Sequence, residues 1–102
     1  MKVHWQNVAS SFLDQLAPWD RERITQAVHA ASEEWDRLPP SLLRAMPAPE
    51  RPKNEQVHVL RVGREYRIFL RREQDRIIVL DIARRSQLEA LKPRLLKGAG
   101  SF

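Results

Sequence analysis

Residues 57–85 read VHVLRVGREYRIFLRREQDRIIVLDIARR. Three runs rich in Val, Ile, Leu, Phe and Tyr are separated by Gly63-Arg64-Glu65 and by Glu73-Gln74-Asp75. Apolar runs of this length between turn-forming clusters predict three consecutive antiparallel strands. Side chains alternate along a strand, so Tyr66, Ile68 and Leu70 share one face while Arg67, Phe69 and Arg71 share the other. One face is oily and the other basic. The third run is apolar at Ile77, Ile78, Val79, Leu80 and Ile82, which predicts a strand with neighbours on both sides and cover on both faces. Across the meander, Arg61, Arg67 and Arg85 are expected to converge on one patch.

Working outward, Lys2 to Trp5 reads as a short first strand. Val8, Phe12, Leu13 and Leu16 follow helical spacing over Asn7 to Leu16, with Asn7 as the N-cap. Ala17-Pro18-Trp19 interrupts this pattern. Asp20 then caps a second helix whose stripe is Ile24, Ala27, Val28, Ala31, Trp35 and Leu38, antiparallel to the first. Residues 38–55 hold five of the seven prolines, which predicts an irregular connection with one helical turn at Ser41 to Ala45. After the sheet, Ser86-Gln87-Leu88-Glu89 fits a capping box, opening a short helix through about Leu96. Residues 97–102 read as a flexible tail. The expected architecture is α+β, one domain over residues 1–102. Two layers are expected: an antiparallel sheet of the N-terminal strand plus the meander, covered on one face by the two N-terminal helices.

Composition narrows the function. The chain has 102 residues and no cysteine, which excludes a disulfide framework and a thiolate metal site. His4, His29 and His58 are scattered, so neither a metal nor any other cofactor is expected. No apolar run has the length of a membrane span, and a cytoplasmic protein without membrane partners is expected. The net charge of +5 is uneven: residues 1–56 hold seven Lys or Arg against eight Asp or Glu, residues 57–102 eleven against five. The sheet half is the basic half, and neutralising about five phosphates would give steeply salt-dependent nucleic-acid binding.

The order of elements, the Tyr66-Arg67 pair opening a strand after a glycine turn, and the Ile82-Ala83-Arg84-Arg85 exit together resemble the RelE/ParE superfamily of type II toxin–antitoxin toxins. The resemblance implies a toxin neutralised by a cognate antitoxin. RelE-like members cut messenger RNA on the ribosome by attack of a ribose 2′-oxygen on the neighbouring phosphorus. ParE-like members share the fold and poison DNA gyrase without cutting nucleic acid. A relative that binds antitoxin without toxicity is a third expectation. Carried over residue by residue, the catalytic candidates are Arg61, Arg67 and Arg85, and His58, Arg64, Arg71 and Arg84 are candidate RNA-binding residues. Arginine stays charged and grips phosphate with paired donors, which suits it to the charge that gathers on a phosphorane-like transition state. RelE-like nucleases often carry a Tyr or His close to the C-terminus. This sequence has Glu89 or Leu91 in that region and no Tyr or His after Tyr66. Tyr66 itself reads as a core aromatic with its hydroxyl at a rim. Trp5, Trp19 and Trp35 read as core or antitoxin-contact residues.

Overall fold

The computed structural model describes residues 1–46 and 56–88. Its elements run β1 (Lys2–Trp5), α1 (Asn7–Asp14), α2 (Pro18–Glu34), a single 3-10 turn (Trp35–Arg37), β2 (Leu43–Ala45), β3 (Val57–Val62), β4 (Tyr66–Glu73) and β5 (Arg76–Arg84). The strands form one sheet in the order β1-β5-β4-β3-β2. The meander is as expected, and β5 has a neighbour on each side. The sheet is mixed, because β1 pairs with β5 in parallel, Lys2 opposite Arg76 and Trp5 opposite Val79. It also has a fifth strand. Where the sequence predicts a helical turn, Leu43–Ala45 pairs antiparallel with His58 to Leu60. The turn lies just before it: the Leu42 and Leu43 N–H groups both donate to the Pro39 carbonyl, at 2.9 and 3.0 Å. A three-residue edge strand is too short to leave a periodic signature.

Both helices lie on the face that carries Tyr66, Ile68 and Leu70. From α2 come Ile24, Val28 and Ala31, from α1 Ala9 and Leu16, and from the sheet Leu60, Val62, Ile77, Val79 and Ile82, in one buried cluster. Each such Val, Leu or Ile side chain contributes about 1.5–3 kcal/mol by leaving water. The α1 interface is rotated from the expected one. Ala9 is fully buried while Val8 is 62% exposed, so the small residue lets the helix lie close to β5. Both helix starts also move. Asn7 is the first residue of α1, with Gln6 ahead of it and no side-chain cap. Pro18 opens α2 instead of merely ending α1, since a first-turn proline loses no hydrogen bond there. Arg21 fastens the junction by donating from its Nη2 to the Leu16 carbonyl at 3.1 Å.

The unbroken apolar run of β5 reflects a bulge. Phe69 pairs with Asp81 but Leu70 with Val79, so Leu80 is the extra residue. Val79 and Ile82 therefore both face the helices, although they are three apart. The Asp81 carboxylate accepts the Ile82 N–H at 2.8 Å, beside the interrupted ladder. Ile78 is buried outside the helix-side cluster. The chain turns helical again over residues 85–88, starting two residues earlier than the Ser86 cap predicts. The Gln87 side chain accepts the Arg84 N–H at 3.3 Å, which makes Arg84 the cap position. Glu89, the remainder of the expected C-terminal helix, the 97–102 tail and most of the proline-rich connection lie outside the described residues. Among the described residues no helix is long and apolar enough to cross a membrane.

Candidate functional site

The basic residues collect at the end of the sheet where β3 turns into β4. Val62 pairs with Tyr66, leaving Gly63, Arg64 and Glu65 in the loop, and Gly63 takes φ +62°. That left-handed conformation suits glycine. One step back along the ladder, Arg61 and Arg67 are directly opposed, on the face away from the helices. Like charges placed across a strand pair are unfavourable. Here the Gly63 carbonyl accepts from both, from Arg61 Nε at 3.4 Å and from Arg67 Nη1 at 3.3 Å. Arg67 Nη1 also donates to the Tyr66 carbonyl at 2.8 Å. Two guanidiniums from neighbouring strands thus converge on one backbone oxygen.

Arg85 joins the same end. Its N–H donates to the Glu65 carbonyl at 2.7 Å, extending the pairing of β4 and β5 past Tyr66 and Arg84 by one step. With Arg64, Glu65, Arg84 and Ser86 it lines an open cleft of about 450 Å³. Arg61, Arg64, Arg67, Arg84 and Arg85 therefore surround one turn.

The other two candidates stand elsewhere. His58 pairs with Leu70 and Ala45 on the helix side, where its ring meets Trp35 edge-on at 4.8 Å between centroids. Burial lowers its pKa, so it is neutral at pH 7. Arg71 lies at the far end of β4, opposite Val57 and Ile78, with Glu73 at 3.5 Å. Arg76 is also bridged to Glu73, at 3.1 Å, and Arg72 to Asp36 at 3.4 Å.

Arg84 belongs to the cluster from the helix side. Its Nη1 donates to the Tyr66 hydroxyl at 3.3 Å, and its guanidinium lies 5.4 Å from the Tyr66 ring centroid and 6.0 Å from that of Phe12. The Tyr66 hydroxyl donates in turn to Asp20 Oδ2 at 3.4 Å. Tyr66 is 1% exposed, in keeping with its reading as a core aromatic. Burial raises its pKa, opposed by the Arg84 charge. A phenol held protonated is a donor to Asp20 and a poor proton acceptor. Of the tryptophans, Trp5 and Trp35 pack against the core, whereas Trp19 is 75% exposed.

Arg23 is the residue that the sequence does not reveal. It lies on α2, three residues after Asp20, with its Nη1 3.8 Å from Asp20 Oδ1. A Cβ built on Gly63 would collide with its guanidinium. The missing side chain at Gly63 is the space Arg23 occupies. Among the described residues no group of three His, Asp or Glu side chains is arranged to hold a metal ion.

The chain matches no protein-family model and no curated protein in sequence. Solved structures do match. A chain of the toxin–antitoxin complex RelBE2 from Mycobacterium tuberculosis superposes with a TM-score of 0.61 at 20% identity, over 82% of this chain and 96% of that one. The fold is RelE-like. A chain of the RelB–RelE antitoxin–toxin complex from Methanococcus jannaschii gives 0.56 at 17% identity, over 85% and 95%. A RelE-like body thus carries arginines on both sides of a single turn. Fixed guanidiniums of this kind bind phosphate and stabilise negative charge that develops on it.

Proposed function

We propose that this chain is the toxin of a type II toxin–antitoxin pair, a RelE-like endoribonuclease that cuts mRNA on the ribosome in the cytoplasm and is held inactive by a cognate antitoxin. The observation that carries the reading is the meeting of Arg61 and Arg67 at the Gly63 carbonyl, beside a cleft lined by Arg64, Arg84 and Arg85. That the two solved structures named above are toxin–antitoxin complexes supports the antitoxin partner. In this reading Arg67 and Arg85 grip the scissile phosphate and stabilise its transition state, and Arg61 orients the backbone or assists the leaving oxygen. No cofactor takes part. Substrate geometry imposed by the ribosome supplies much of the remaining barrier reduction, since alignment of the reacting atoms alone is worth several kcal/mol, about 7 or more in favourable cases.

A second reading is a ParE-like toxin that inhibits DNA gyrase. It is favoured by the placement of the described tyrosine and of the sheet histidine away from the open arginine face: the Tyr66 hydroxyl bonds Asp20 and Arg84, and His58 packs on Trp35. Induction in growing cells separates the two. Codon-associated mRNA 5′ ends support cleavage, a DNA-damage response without such ends supports gyrase inhibition, and normal growth removes both. Arg67→Ala or Arg85→Ala is expected to abolish growth arrest in a chain that still folds. Full toxicity in both variants would remove these assignments.

A further inference from the structure

The cluster around Gly63 does not stop at the open face of the sheet. Arg61 and Arg67 reach the Gly63 carbonyl from one side, and Arg23 lies over its α-carbon from α2. Arg84 stands behind Tyr66, on the side of α1. Among the described residues six arginines and two acids, Asp20 and Glu65, occupy this end of the molecule, so their balance is positive on both sides of the turn.

We propose that the bound nucleic acid crosses this turn, with Arg23 and Arg84 contacting backbone phosphate on the helix side, and that Tyr66 and Asp20 are positioning residues for these two guanidiniums. The proposal rests on the RNA-binding reading above, which already includes Arg84, and adds Arg23 on the helix side together with the positioning roles of Tyr66 and Asp20. Three features support it. The Arg84 guanidinium lies near two aromatic rings, an arrangement that uses the face of the group and leaves in-plane N–H donors for phosphate. Its contact with the Tyr66 hydroxyl is with a neutral acceptor, so the positive charge is not cancelled there. The Arg23 side chain is 54% exposed, and its carboxylate contact is a long 3.8 Å, weak enough for a phosphate to replace. Exposed pairs of this kind contribute little.

Asp20 is the hinge of the arrangement. It takes the Tyr66 hydroxyl on one oxygen and faces Arg23 with the other, tying α2 to the strand from which Arg67 projects. RNA is favoured over an acidic peptide because the basic residues follow one another around the turn, from Arg61 and Arg67 to Arg23 and Arg84. An evenly charged phosphodiester chain can follow that path.

The test is binding of fluorescent dodecauridylate to the full chain across a salt series. Arg23→Gln and Arg84→Gln are each expected to weaken binding and to lower the slope of log K against log salt by about 0.7, the value for one phosphate contact on a single strand. Arg23→Lys keeps the slope. Tyr66→Phe is expected to weaken binding, and much less so when Arg84 is already Gln, which a role confined to stability would not produce. Arg61→Gln and Arg67→Gln report separately on the open-face reading. Unchanged slopes for Arg23→Gln and Arg84→Gln, with reduced slopes for Arg61→Gln and Arg67→Gln, overturn this inference alone. Unchanged slopes in all four overturn both. Because Arg23 is largely exposed, its variant folds and the outcome stays readable if Arg84→Gln does not fold.

Discussion

Replacing Gly63 by alanine tests the turn and the cluster together. Gly63 has φ +62°, and an L-residue in the left-handed region costs roughly 1–2 kcal/mol. Alanine also narrows the unfolded ensemble, returning about 0.4–1 kcal/mol. The added methyl meets only the tip of a long side chain, the Arg23 guanidinium, which moves aside at little cost. The net expected loss is about 1 kcal/mol, which for a domain of this size lowers Tm by roughly 4–8 °C. Thermal and urea melts of Gly63→Ala and Gly63→Asn measure it. Asparagine tolerates the left-handed region and is expected to cost less than alanine. In the RNA titration, Gly63→Ala is expected to weaken binding with the salt slope kept, since the Arg23 guanidinium is displaced but its charge remains. An unchanged or raised Tm for Gly63→Ala would refute the backbone argument, and a cost for asparagine equal to that of alanine would show that the strain is not dihedral.

Tyr66→Phe is expected to cost about 1 kcal/mol in urea unfolding, because both hydroxyl contacts, 3.3 and 3.4 Å, are long for oxygen bonds; a loss below about 0.3 kcal/mol would mean that the hydroxyl bonds neither partner. Leu70 is fully buried, and Leu70→Ala should lose about 3–5 kcal/mol, a large share of a typical domain's stability. A loss below about 1.5 kcal/mol would place Leu70 outside the core. The lowered pKa of His58 means that the unfolded chain binds more protons as pH falls below about 6.5, the unperturbed histidine value. His58 therefore contributes full stability above that pH and loses it as pH falls towards its folded pKa. The stability curve of His58→Phe should be flatter than that of the native chain across this window, and coincident slopes would contradict the burial of the imidazole.

The meander was legible because alternation and turn residues are local. Tyr66, Ile68 and Leu70 are all buried, and Arg61 and Arg67 meet where their strand positions put them. What sequence did not carry depends on distant partners. The direction of β1 is set by where the chain enters the sheet, not by residues 2–5. Leu43–Ala45 becomes a strand because β3 offers an edge, in a region whose prolines argue against one. On α1, Val8 and Ala9 are adjacent, and only the closeness of the helix to β5 decides that alanine goes inside. In sequence Asp20 reads as a helix cap and Arg23 carries no signal, since nothing in their spacing measures the distance to Gly63. His58 illustrates the reverse: its strand position was known, and its side was fixed only by the register against Leu70.

The parallel pairing of the first strand with the last has a kinetic consequence. Lys2 must wait for Arg76, so a growing chain holds its first strand unpaired until residues 76–79 have been made. Contacts between such distant points close slowly. The platform for α1 is also β5, and Arg84 terminates that strand. Body and basic cluster are therefore completed in the same late event. Under the function proposed above, a half-made chain is harmless to the ribosome that is making it.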